Sequence, residues 1–151
     1  MKKLIIILAV IFSLHANANA IDDSVSLKGL KESKIIFDIN IASMQKMPLY
    51  LNVILKTYDG LKKQNIKPNI ILAFRGASVQ FLIPDGNEDK TISLIKELLS
   101  KKEIQLEGCN IAANIFGVDS KEYFDGVRAV GNTFISLGAY QAKGYSIIPL
   151  Y

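Results

Sequence analysis

Few residues in this chain of 151 are equipped for covalent chemistry, and one stands apart: Cys109, the single cysteine. It lies in LEGCNIAANIFGV, where a run of strand character gives way to one of helical character. A thiol at such a junction meets the unpaired N–H groups and partial positive charge of a helix start, which favour thiolate over thiol. Asn110, next in the chain, is placed to cap that short helix. Arg75 and Gly76 close an earlier strand-like run, and Arg75 would add a positive charge if the two strands are neighbours. Cys109 is therefore the candidate nucleophile, with Asn110, Arg75 and Gly76 as candidate binding residues. A free cysteine is equally at home as a small buried apolar residue, so position alone leaves both roles open.

Other chemistries find less material. The one histidine is His15, which falls in a segment set aside below. Without it, a Ser-His-Asp or Cys-His pair cannot form within one chain. One cysteine with carboxylates alone would make an unusual zinc site, so no metal or other cofactor is expected. Neither GxGxxG after the first strand nor GxxxxGK[ST] occurs, so both phosphate-cradling fingerprints are missing. The carboxylates are scattered. Asp38, ending the first strand-like run, reads as a loop or cap residue outside the site.

The segment set aside is MKKLIIILAVIFSLHANANA, residues 1–20. Two lysines precede an apolar run from Leu4 to Leu14, and a small-residue exit ends at Ala20. This is the layout of a secretory signal peptide cleaved before Ile21, and it predicts a periplasmic protein. The apolar run falls short of the roughly 20 residues a membrane span needs, so no span is expected after cleavage. No cysteine follows the cleavage point to take a lipid anchor. Losing Lys2 and Lys3 from 18 basic residues leaves 16 against 14 acidic ones, a balance of +2 instead of the formal +4. So small an excess gives no basis for a nucleic-acid partner. A lone cysteine also rules out an internal disulfide, so stability must come from a core.

Residues 21–33 are polar and mixed and read as an arm; residues 34–151 read as one domain. KIIFDIN (Lys34 to Asn40) is a short apolar run of strand type. Pro48 opens a helix with Leu51, Ile54, Leu55, Tyr58 and Leu61 at helical spacing, expected to stop near Gly60 with Lys62 and Lys63 at its end. NIILAF (Asn69 to Phe74) is the second strand. After SVQFLI and the break at Pro84-Asp85-Gly86, Asp89 is placed to cap a helix with Ile92, Ile95, Leu98 and Leu99 on one face. Ile104 to Gly108 is a third strand, and the short helix after Cys109 ends at Gly117. VRAV (Val127 to Val130) is a fourth strand. Asn132 caps a helix running to about Lys143 and stopped by Gly144. SIIP closes the chain, and Pro149 marks an edge. Strands and helices alternate, and the strand cores are continuous apolar runs, as in sheets covered on both faces. The expectation is a three-layer α/β/α sandwich with a mostly parallel sheet of about five strands.

NIILAFRGASVQFLI, IQLEGCNIAANIFGV and VRAVGNTFISLGAYQAKGYSIIPLY together resemble the DsrE/DsrF-like family. The shared features are a strand followed by a small loop and a helix, then a strand ending in cysteine with a polar residue after it. A late valine-rich strand and the closing Gly144-Tyr145-Ser146-Ile147-Ile148-Pro149 complete the pattern. The resemblance implies the same three-layer fold and assembly into a trimer or hexamer. It also implies that Cys109 accepts sulfur as a persulfide and exchanges it with a donor or acceptor protein. Well-understood members of that relay work in the cytoplasm, whereas this chain carries a leader. Three functions fit: a periplasmic sulfur carrier or sulfurtransferase, a non-catalytic binding or assembly module, and a thiol redox-responsive protein.

Overall fold

A computed structural model describes residues 22–151. The leader, its cleavage point and Ile21 lie outside the described residues. Five strands form one parallel sheet: β1 (Glu32–Ile39), β2 (Lys67–Phe74), β3 (Ile104–Cys109), β4 (Arg128–Val130) and β5 (Ser146–Leu150). Their order across the sheet is β4-β3-β2-β1-β5. Four helices connect them: α1 (Lys46–Lys63), α2 (Asp89–Leu99), α3 (Asn110–Phe116) and α4 (Thr133–Ala142). The fold class read from the sequence holds, and every strand pairing is parallel.

Alternation along each strand sorts side chains to two faces. Ile35, Phe37 and Ile39 join Ile70, Leu72, Phe74, Ile104 and Leu106 on one face, beneath α1 and α2. Ile36, Ile71 and Ala73 lie on the other, against Leu137 of α4. The two layers are unequal. The α1–α2 side carries nearly all of the core, while among the described residues α4, ten residues long, buries just Thr133 and Leu137. That second face also holds two buried carboxylates, Asp38 and Glu107. Both belong to one row across the sheet, in which Pro149, Asp38, Ala73, Glu107 and Arg128 align from β5 to β4.

Several local expectations shift. β1 starts at Glu32, so Glu32 and Ser33 belong to the sheet and not to the arm. α1 runs through Gly60 to Lys63. A helical glycine costs about 1 kcal/mol against alanine, and burial of Leu61 one residue later outweighs that. The chain turns instead at Asn65, with φ of 59°. SVQFL lies in a 3-10 segment, Gly76–Leu82, with Val79, Phe81 and Leu82 buried. Asp89 is the first residue of α2 and not its cap; Glu88 takes the capping position. Other stop signals act as read. Gly117 ends α3 with φ of 68°, and the Asn132 side chain accepts the Phe134 N–H at 2.9 Å.

Candidate functional site

Cys109 is the last residue of β3 and itself takes the capping position of α3. The thiol sits at the base of a cleft of about 260 Å³, walled by Ile111, Ala112, Ile115 and Phe116 of α3 and by Thr133 and Phe134 of α4. Arg75 and Gly76 close its far side. The residue is 5 % exposed, so a reactant meets the sulfur only through this cleft. Two helix starts converge there, α3 from the cysteine's own strand and α4 from the chain beyond β4.

Their donors decide the ionisation of the thiol. Burial pushes the Cys109 pKa up, but the hydroxyl and N–H of Thr133 and the N–H groups of Ala112 and Ile111 act against it. The net effect holds the thiol below its ordinary value. As a neutral N-cap side chain Cys109 makes no strict capping bond. The N–H groups facing the sulfur instead favour its anion, as oriented dipoles do at helix starts. Thr133 was not among the residues singled out from the sequence. The signal was present in the cap at Asn132, which makes Thr133 the first residue of a helix. What was missing was the knowledge that this helix begins beside Cys109.

Arg75 reaches the cleft but plays a different part from the one expected. β2 and β3 are neighbours, and Arg75 and Cys109 each lie two residues beyond the Ala73–Glu107 pair. The guanidinium nevertheless turns toward β1, donating from Nε and Nη2 to the two Asp38 oxygens at 2.6 and 3.0 Å. Its charge is neutralised there, and thiolate stabilisation falls to the helix N–H groups and Thr133. The rings of Phe134 and Tyr151 lie 5.3 and 5.6 Å from the guanidinium carbon, which restricts the fork further. Asp38 is therefore a buried strand residue that orients Arg75, and reading it as a loop or cap residue is corrected. Gly76 lines the cleft with φ of 57°, the left-handed region that favours glycine, and a Cβ there would crowd the Asn40 side chain. Asn110 is not brought to the cleft: it is the first residue of α3, not its cap, and its Oδ1 accepts the Ser120 hydroxyl at 3.4 Å.

A second group close to the cysteine also escaped the sequence reading. Tyr123 packs over Gly108, where a Cβ would collide with its ring and with the Leu82 side chain. Its hydroxyl is buried without a hydrogen-bond partner among the described residues. Burial, with a smaller contribution from charge on Cys109, pushes its pKa up to about 12. Among the described residues, no three His, Cys, Asp or Glu side chains gather as a metal site would require. Among them, too, no helix is long and apolar enough to cross a membrane.

The cysteine and its cleft lie at the carboxyl edge of the parallel sheet, the edge along which open α/β sheets meet ligands. The chain belongs to the DsrE/DsrF-like family, whose pattern it matches over residues 34–150. Two solved structures share the fold. One is MTH1491 from Methanobacterium thermoautotrophicum, a protein of unknown function, with a TM-score of 0.67 and 17 % identity. The other is the ychN protein from E. coli, with a TM-score of 0.62 and 15 % identity. Each comparison covers 78 % of this chain and 99 % of the other. No curated protein matches the chain.

Proposed function

We propose that this protein is an exported sulfur carrier that holds sulfur on Cys109 as a persulfide. The observation that carries the reading is the thiol in a cleft where the starts of α3 and α4 meet, with Thr133 lining the same cleft and the thiol pKa held below its ordinary value. Membership of a family linked to sulfur relay supports it. The Cys109 thiolate attacks the outer sulfur of a donor persulfide. A new S–S bond forms at Cys109 while the donor's own S–S bond breaks, and the donor leaves as a thiolate. Attack by an acceptor thiolate on the outer sulfur reverses the exchange and regenerates Cys109. Neither transfer changes the overall oxidation state, so no external oxidant is consumed. Because the sulfur lies inside the cleft, the donor presents its reactive atom on a small molecule or a protruding segment. The signal-peptide layout of residues 1–20 supports a periplasmic setting for this chemistry, and the exposed apolar side chains of α3 and α4 support self-association.

The same burial favours one alternative over the other. A disulfide between two chains needs Cα atoms about 4.4–6.8 Å apart, which a cysteine 5 % exposed at a cleft base does not offer. A binding module, with the largely apolar cleft taking a small ligand and Cys109 merely lining it, is the second reading. Intact mass after incubation with a persulfide donor separates the two. The carrier gains one sulfur atom, reductant removes it, and Cys109→Ser gains none while keeping its fold. A wild-type chain that gains no sulfur leaves the binding module as the better account.

A further inference from the structure

Beneath the helix that walls the cleft lies a carboxylate that takes no direct part in the sulfur exchange. Glu107 precedes Cys109 by two residues on β3, so both side chains leave the same face of the sheet. Its side chain is 0 % exposed. One oxygen accepts from the Arg128 guanidinium and from the Tyr140 hydroxyl, the latter at 2.9 Å; the other accepts the Ser136 hydroxyl. Arg128 also donates to the Tyr140 oxygen at 3.0 Å, which closes the network.

Two of the three donors to Glu107 are on α4. Thr133, Ser136, Leu137 and Tyr140 recur at the spacing of one helical face. Thr133 begins that face, beside the sulfur of Cys109. Two β3 residues about 7 Å apart thus meet two points of α4 almost one turn, or about 5 Å, apart. Its one buried apolar side chain, Leu137, rests on Ile36, Ile71 and Ala73. Phe134 against the Arg75 guanidinium and Tyr140 edge-on to Tyr145 add contacts at its two ends, but neither supplies the buried hydrogen bonds that Glu107 does. A buried ion network gains little stability over an apolar replacement, and its best-attested use is fixing register.

We infer that Glu107 is a positioning residue for Cys109: by holding Ser136 and Tyr140 it sets the register of α4 and so keeps Thr133 against the sulfur. The inference rests on the reading of Cys109 as a working thiol. The test is the pH profile of Cys109 alkylation in the full folded chain, beside a denatured control. The principal variant is Ser136→Ala/Tyr140→Phe, which frees the helix from Glu107 while leaving the Arg128 pair in place. Its alkylation midpoint is expected to rise, slowing the reaction at neutral pH by about threefold or more. The limiting rate at high pH should stay that of wild type, which loss of structure would not produce. If the principal variant does not fold, Ser136→Ala alone carries the test with the same outcomes. A folded variant whose midpoint equals a low wild-type midpoint overturns this inference alone. A wild-type midpoint at or above that of the denatured control overturns the reading of Cys109, and this inference with it.

Discussion

A thiol withdrawn from water resists ionisation unless something replaces the lost solvation. At Cys109 the replacement comes largely from one residue, because Thr133 offers both its hydroxyl and its N–H. Thr133→Ala keeps the N–H and deletes the hydroxyl, so the thiol pKa should rise toward that of an unperturbed cysteine. The thiolate is the reacting form, and its fraction grows as pH rises through the pKa. The alkylation midpoint of wild type should therefore lie below that of a denatured control, about 8.5, and Thr133→Ala should lose about threefold or more of the wild-type rate at neutral pH. Thr133→Ser should restore it. An alkylation profile unchanged in Thr133→Ala would show that the helix N–H groups suffice. Arg75 illustrates the complementary point. A cation beside a thiol does little for it when its Nε and Nη2 are already committed to a buried carboxylate.

The third strand shows how an element is tuned to serve one end. Gly108 gives up a side chain so that Tyr123 and Leu82 can close over the backbone immediately before Cys109. The cover is imperfect, because the Tyr123 hydroxyl is buried with nothing to bond among the described residues. Burying a hydroxyl unpaired costs on the order of 1–3 kcal/mol, so Tyr123→Phe should hold or raise stability, by about 1 kcal/mol. The effect grows in alkali. A phenol whose pKa is raised in the fold to about 12 leaves stability intact below its unfolded value of about 10. Stability then falls as pH climbs from there toward 12, where the folded phenol also ionises. Denaturant melts of wild type and Tyr123→Phe at neutral pH and near pH 11 check both points. A loss of stability in Tyr123→Phe at neutral pH would mean that the hydroxyl has a partner after all.

For the whole molecule, the unequal layers matter most. Ile111, Ile115 and Phe116 of α3 and Phe134 and Ile135 of α4 stay 41–72 % exposed around the mouth of the cleft. Contiguous apolar surface of this kind is usually covered by a partner, and identical chains cover it most simply in a closed symmetric assembly. Export predicts that protein recovered from the periplasm begins at or within two residues of Ile21. That protein should scatter light as a trimer or larger assembly at micromolar concentration. A monomer mass, or a chain still beginning at Met1, would count against assembly and export respectively.

The sequence by itself determined the kind and order of the elements. Apolar periodicity, the cap at Asn132 and the stops at Gly117 and Gly144 act over a few residues, and a chain carries them wherever it folds. For the same reason Cys109 could be placed at the end of a strand and the start of a helix. Gly60 marks the limit of such signals: a local breaker yields when tertiary burial continues the helix past it. Partnership was beyond their reach. Arg75 and Asp38 stand 37 residues apart and Glu107 and Ser136 29 apart, and only strand order and register bring them together. The pairing of β1 with β2 sets Asp38 within reach of Arg75, and the pairing of β3 with β4 brings the following helix back over the sheet. Tertiary structure therefore decided which groups surround the sulfur, because the field at a thiol depends on what lies nearest in space and not on what lies nearest along the chain.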